Sequence, residues 1–255
     1  MNNSDSFDLF GDIPSATQSD EPKVDYKIMP VSVIDIEAQK KRKGENHAST
    51  SSRANYSPFP EEVSDLCYQF FLRDSVKIVD PFAGWGERHS KAVEWGKEYT
   101  GFDISDQAIA KARDEFGVDN IKGDSRIVDI PAGFDGLITC PPYWNLEKYA
   151  DNDGIDRIKK WADFLVDYEN ILTRFYNVAV DGATFCIMTG DWRKNHFYYD
   201  LTFQTALIFN KLGATVVDKI TVSRKKVSKI KIMLPQAKRL GYTVRVHEDL
   251  QVFRK

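Results

Sequence analysis

Cysteine is scarce in this chain. Cys67, Cys140 and Cys186 stand apart along 255 residues, with no Cys-x-x-Cys spacing. An odd, scattered set excludes a disulfide framework and a zinc site. Long apolar runs are also missing, which excludes a membrane-spanning helix. The first residues, Met-Asn-Asn-Ser-Asp, lack the charged and apolar regions of a secretory leader. A reducing, cytoplasmic setting without a membrane partner is therefore expected. Excess charge is absent too: the net charge is −3, so a polyanionic partner has to be met by a local basic patch. No internal repeat is found. Against these absences stands a hydrophobic content of 42%, enough for one sizeable core.

The apolar pattern divides the chain. Residues 1–25 are polar, acidic and proline-containing, and Gln-Lys-Lys-Arg-Lys follows at 39–43. Residues 1–45 therefore read as a mostly disordered tail, acidic then basic, with a short helix over 31–43. A catalytic domain is expected over 46–255. From residue 60 onward, segments of helical period alternate with short apolar runs. The helices are expected at 60–72, 87–95, 106–116, 161–180 and 198–213. The strands are expected from 76 to Asp80, from 98 to Asp103, in a short run ending near Asp124, within 133–143, and at 182–191, 214–223 and 242–255. Such alternation predicts an α/β fold, a mainly parallel sheet of seven strands with helices on both faces. Ligands of such sheets sit at the carboxyl ends of the strands. Asp80, Asp103, Asp124 and Cys140 all fall at those ends.

One strand runs into Asp80-Pro81-Phe82-Ala83-Gly84-Trp85-Gly86 and then a helix. Glycines two apart let backbone amides approach a ligand, beside the positive end of the helix. Asp103 comes 23 residues after Asp80 and ends the next strand, where an acid can bond both ribose hydroxyls. Asp124 ends the third strand, where a side-chain or backbone group can read an adenine edge. The third glycine of a dinucleotide fingerprint is missing, and Glu87 would repel a pyrophosphate. An adenosyl ligand without phosphates suits this pattern better.

The run Ile138-Thr139-Cys140-Pro141-Pro142-Tyr143-Trp144 ends another strand. Proline stops a β-ladder and fixes its own φ, so the strand ends in something rigid and aromatic. Together with Asp-Pro-Phe-Ala-Gly-Trp-Gly, Asp103 and Asp124, this run resembles the S-adenosylmethionine-dependent amino-methyltransferases of DNA, and phage-type modification methylases in particular. Tyr56-Ser57-Pro58-Phe59-Pro60 resembles an N-terminal motif of the same enzymes, and the three motifs come in a consistent order over residues 54–255. The resemblance implies a Rossmann-like class I methyltransferase fold and S-adenosyl-L-methionine as cofactor. It implies cofactor contacts from Ser57 and Phe59, from the turn (Asp80, Phe82, Ala83, Gly84, Gly86), and from Asp103, Ile104, Asp124 and Ser125. It also implies a catalytic shelf of Cys140, Pro141, Pro142 and Tyr143. There the first side chain and the next backbone carbonyl accept the two N–H groups of a base amino group, and Tyr143 stacks on the flipped base.

Cys140 departs from that pattern, because Asp, Asn or Ser is expected and a thiol is a weak acceptor. The second N–H is then left to Thr139 or a water. The Thr-Cys-Pro-Pro-Tyr-Trp form leans slightly to cytosine N4, with adenine N6 nearly level. A covalent cysteine role of the cytosine C5 type is disfavoured, since that cysteine follows its prolines. The bland alternative is a buried filler at a strand end.

Residues 219–239 carry eight Lys/Arg and no acid, between two expected strands. Arg224, Lys225, Lys226, Lys229 and Lys231 are the expected phosphate contacts of duplex DNA. Asp191 and Arg193 are expected to shape the base pocket. No separate target-recognition domain is visible, so a short target sequence is expected, and a homodimer stays open. The competing readings are an RNA or protein amino-methyltransferase and a catalytically inactive DNA-binding relative.

Overall fold

A computed structural model describes residues 30–36, 58–145, 154–194, 196–223 and 230–255, with backbone alone at 230–232. The chain runs β1 (Val33–Asp35), α1 (Glu61–Leu66) continued by a π-turn (Cys67–Phe71), β2 (Lys77–Asp80), α2 (Glu87–Glu94), β3 (Glu98–Asp103), α3 (Asp106–Phe116), β4 (Ile121–Lys122) and β5 (Gly136–Thr139). After a 3₁₀ turn (Ile155–Arg157) come α4 (Trp161–Val178), β6 (Thr184–Thr189), β7 (Trp192–Lys194), β8 (Phe197–Tyr199), α5 (Leu201–Lys211), β9 (Thr215–Ser223), α6 (Ile230–Leu240) and β10 (His247–Arg254).

Eight strands form one sheet in the order β1-β9-β10-β6-β5-β2-β3-β4, and β7 pairs with β8 as a separate hairpin. Strands β2 to β6 run parallel, while β10 is antiparallel to both β6 and β9. The expected seven strands are all present. The eighth is β1, which pairs parallel with β9. It overturns the helix expected over 31–43 where those residues are described. Val33-Ile34-Asp35 alternates exposed, buried, exposed, and Ile34 joins the core. A period of two, not 3.6, decides the local structure.

Both faces of the sheet are packed. Val79, Leu137, Phe185 and Phe253 point to the face covered by α4 and α5. Their neighbours Ile78, Ile138, Cys186 and Val252 point to the face covered by α1. Helix α4 buries Phe164, Tyr168, Ile171, Leu172, Phe175 and Tyr176, a stripe of helical spacing. Helix α3 begins where the Ser105 hydroxyl accepts from Ala108 N and ends at Gly117, whose φ is 67°. Helix α6 occupies part of the basic segment expected as an insertion, with Pro235 inside it. Strand β2 lies between β3 and β5, so the chain turns outward to β4 and then returns to the other side of β2. That reversal opens a crevice above the carboxyl ends of β2 and β5.

Candidate active site

A cleft lies at this reversal. Its walls bring together the glycine turn (Phe82, Gly84), the end of β3 (Asp103, Ile104), the segment after β4 (Asp124, Ser125), Phe59, and the whole shelf Cys140-Pro141-Pro142-Tyr143. Three sequence motifs separated by up to 84 positions thus face one space. Ser57, Arg224, Lys225, Lys226 and Lys229 lie outside the described residues, as does the side chain of Lys231.

Three of the turn residues do not line the cleft. Asp80 is fully buried. Its Oδ1 accepts from Phe82 N (2.9 Å) and the Thr139 hydroxyl (2.6 Å). Its Oδ2 accepts from Arg88 Nε (2.6 Å) and the Tyr99 hydroxyl (2.7 Å). A carboxylate with four partners holds the turn. Arg88 is buried with it and also donates to Phe82 O (2.5 Å) while lying over the Phe59 ring at 4.7 Å. Burial works against the Arg88 charge, but Asp80 more than offsets it, so the guanidinium is held even more firmly protonated than usual. Burial, with Asp80 adding to it, pushes the Tyr68 and Tyr99 phenols well up. Ala83 is buried as well, its N–H donating to Phe102 O. Gly86 packs against α3: a Cβ there would lie 2.9 Å from both Ala112 Cβ and Val118 Cγ2, and its φ is +98°. Only glycine fits both demands.

Gly84 is held from both sides. Its N–H donates to Asp103 Oδ2 (2.8 Å), and its carbonyl accepts from Asn120 Nδ2 (3.3 Å). Asp103 Oδ1 accepts from Ser105 N (2.8 Å). Each Asp103 oxygen thus has one backbone partner and keeps acceptor capacity toward the cleft. Burial pushes the Asp103 carboxyl above its ordinary value, against the pull of those two N–H groups.

Asp124 is engaged differently. Arg126 grips it through Nε (3.0 Å to each oxygen) and Nη2 (2.6 Å), and Arg126 Nη1 reaches Asp167 at 2.9 Å. Burial raises the Asp124 carboxyl, but the Arg126 fork wins and holds it below its ordinary value. The Ser125 hydroxyl donates to Pro81 O (2.5 Å), tying this wall to the glycine turn.

On the shelf, the Tyr143 hydroxyl donates to Glu248 Oε1 (2.5 Å) and its ring lies 5.6 Å from Trp192. Behind them Trp144, Trp161, Trp192 and Tyr199 form a continuous aromatic cluster, with centroids 5.0–5.7 Å apart. Thr139, expected as a substitute acceptor, is fully buried and spends its hydroxyl proton on Asp80. A second cavity meets the first at Tyr143 and Glu248, and Asp191 and Arg193 line it. Asp191 accepts from the Tyr198 hydroxyl (2.6 Å), Thr202 N (3.0 Å) and Arg245 (3.3 Å). Arg193 lies over Tyr198 and Tyr242 at 4.8 and 5.1 Å.

Arg88, Tyr99, Arg126 and Glu248 were not legible as site residues. Arg88 has one local signal, its place in the first turn of the helix after the glycines. Glu248 enters from the last strand, in the ending His247-Glu248-Asp249-Leu250-Gln251, which also resembles the phage-type methylases but assigns the residue no role. Among the described residues no group of His, Cys, Asp and Glu is placed to hold a metal, and no helix is long and apolar enough to cross a membrane.

No protein-family model matches the chain, and no curated protein matches it. The matches are to solved structures. The N-methyltransferase NodS from Bradyrhizobium japonicum WM9 is 13% identical, with a TM-score of 0.51 over 76% of this chain and 94% of that one. The [4+2]-cyclase SpnF is 15% identical, with a TM-score of 0.50 over 76% and 81%. TrmN from Thermus thermophilus is 14% identical, with a TM-score of 0.48 over 75% of this chain and 48% of that one, so this chain spans about half its length. At such identities the likeness is one of fold, the Rossmann-like class I methyltransferase fold. A cyclase among the neighbours shows why chemistry has to be argued from the site.

Proposed function

We propose that the chain transfers a methyl group from S-adenosyl-L-methionine to an exocyclic amino group of a base in double-stranded DNA, cytosine N4 slightly ahead of adenine N6. The observation carrying this reading is that the Cys-Pro-Pro-Tyr shelf and the Gly84–Asp103 pair face one cleft. Asp103 keeps acceptor capacity for two ribose hydroxyls, and the apolar walls of Phe59, Phe82 and Ile104 suit an uncharged adenosyl group. The cofactor supplies an electrophilic methyl carbon.

The shelf supplies the rest. An exocyclic amino group is a poor nucleophile because its lone pair is delocalised into the ring. The Pro141 carbonyl accepts one N–H and draws the lone pair out of conjugation. The fixed φ of proline holds that acceptor still. Tyr143 offers its ring to the extruded base, and the Glu248 bond fixes the ring in place. Alignment of nitrogen with the methyl carbon is then a matter of two rigid walls. The basic stretch at 219–239 is the proposed contact for DNA phosphates.

Tritiated S-adenosylmethionine with unmodified duplex DNA, followed by nucleoside digestion and mass spectrometry, tests the reading. Label in N4-methylcytosine or N6-methyladenine, lost in Pro141→Ala, is expected. Cofactor binding without label on DNA, but with label on RNA or protein, would replace DNA by that substrate.

A further inference from the structure

An amino group presents two N–H bonds, and the shelf as built accepts one. The Cys140 thiol is a weak acceptor. Thr139 is unavailable, since its hydroxyl is buried and bonded to Asp80. Three carboxylates besides Asp103 and Asp124 line the same cleft: Glu87, Asp156 and Glu248. Glu87 opens α2 beside the glycine turn, at the cofactor end. Asp156 faces Arg157 at 3.5 Å. Glu248 is tied to the shelf, with Oε1 on the Tyr143 hydroxyl.

The fold makes room for that contact. Asp249 pairs with Thr189, so Glu248 comes level with Gly190, one residue past the end of β6. A Cβ on Gly190 would lie 3.1 Å from Glu248 Cγ and 3.2 Å from the Tyr143 hydroxyl. The missing side chain at 190 lets the carboxylate and the phenol meet. Glu248 therefore stands at the hydroxyl edge of the ring on which the proposed base would stack.

We propose that Glu248 is the second acceptor of the target amino group, a catalytic residue doing from β10 what the side chain at 140 cannot. This rests on the amino-methyltransferase reading above. In the step, the nitrogen lone pair forms the N–C bond to the methyl carbon. The C–S bond breaks with its electron pair returning to sulfur, so the sulfonium becomes a thioether. The positive charge then on nitrogen is discharged by passing one N–H proton to the Glu248 carboxylate and on to solvent.

The test compares Glu248→Gln with Tyr143→Phe in the full chain. Loss of about 100-fold or more in kcat is expected for E248Q, the size seen when a pre-organised polar partner of a transition state is removed. Y143F keeps the stacking ring but loses the bond to Glu248, so it reads the positioning share alone and is expected to lose clearly less than E248Q. Cofactor affinity by calorimetry is expected unchanged in both, and 2-aminopurine fluorescence on a substituted duplex reads any loss of base stacking that the two share. Cys140→Asp in the E248Q background restores an acceptor beside Pro141 and is expected to recover transfer.

E248Q with wild-type kcat overturns the proposal. So does equal loss in E248Q and Y143F without rescue by C140D, which would leave Glu248 only a positioning residue for Tyr143. Wild-type protein that labels no amino group would overturn the parent reading as well, and so separates the two failures.

Discussion

The two halves of the cleft are built by different means. On the cofactor side, one continuous piece of chain from Asp80 to Ser125 supplies nearly the whole wall. Its acids divide their labour: Asp80 is a buried bolt, Asp103 an acceptor open to the cleft, and Asp124 a carboxylate clamped by Arg126. On the shelf side, Tyr143 is held by Glu248 from the last strand and backed by Trp192 from a separate hairpin. The first half is a local construction of turns and caps. The second is an assembly of distant parts, and its chemistry rests on how the sheet brings them together.

The largest effect should come from the bolt. Asp80→Ala leaves Arg88 charged and uncompensated in the interior, at a cost of about 3–5 kcal/mol. For a chain of this size the expected fall in Tm is roughly 10 °C or more. The double replacement Asp80→Leu with Arg88→Met should cost less than the single change, because it leaves no orphaned charge. Calorimetric melting of the three proteins checks this. A folded, stable Asp80→Ala protein that merely binds cofactor weakly would instead place Asp80 at the ligand.

Asp103 should behave in the opposite way, affecting binding more than stability. Asp103→Asn turns one of the two charged acceptors facing the proposed ribose into a donor and the other into a neutral acceptor, at a cost of about 1.5–3 kcal/mol of affinity. Its folded pKa lies above the unfolded one, so its contribution to stability is fully present below the unfolded value and is lost as pH rises through the folded value. Cofactor affinity, which needs the carboxylate, runs the other way. Titration calorimetry should show it weakening as pH falls through the raised Asp103 value, and that pH dependence should be missing in D103N.

Gly86→Ala probes the packing under the turn. A Cβ at 2.9 Å from two side chains of the α3 region should cost about 1–3 kcal/mol, with strain at φ +98° added. Gly84→Ala, with nothing nearer than 4.0 Å, should cost less in stability despite its φ of +61°. Denaturant melts of the pair separate crowding from backbone strain. The smallest effect is expected at the rim. Lys111 lies over the Trp85 ring at 3.6 Å, and Lys111→Ala should cost no more than about 1 kcal/mol.

Much of the cofactor half is legible in the sequence because its determinants are short-range. Alternating apolar runs set β2, β3 and β5. Gly117 stops α3 at the expected place. The turn glycines and Asp103 sit at strand ends that the pattern already marks. The errors have local causes as well. Residues 33–35 fall in the helix expected over 31–43, but the buried side of Ile34 against β9 makes them a strand. The helix Glu61–Leu66 passes into a π-turn at Cys67, a change of hydrogen-bond step that no residue type announces.

What the sequence by itself determined is the order of elements and the chemistry at the strand ends. Hydrophobic period, proline and glycine act over a few residues, and the motifs they frame keep their spacing. Only the tertiary structure decided the division of the acids and the partner of the shelf. Whether an aspartate bolts a turn or faces a ligand depends on which groups surround it, and Asp80 meets Arg88, Tyr99 and Thr139 from three different elements. Glu248 reaches Tyr143 across 105 positions because β10 inserts antiparallel beside β6 and Gly190 leaves the space between them.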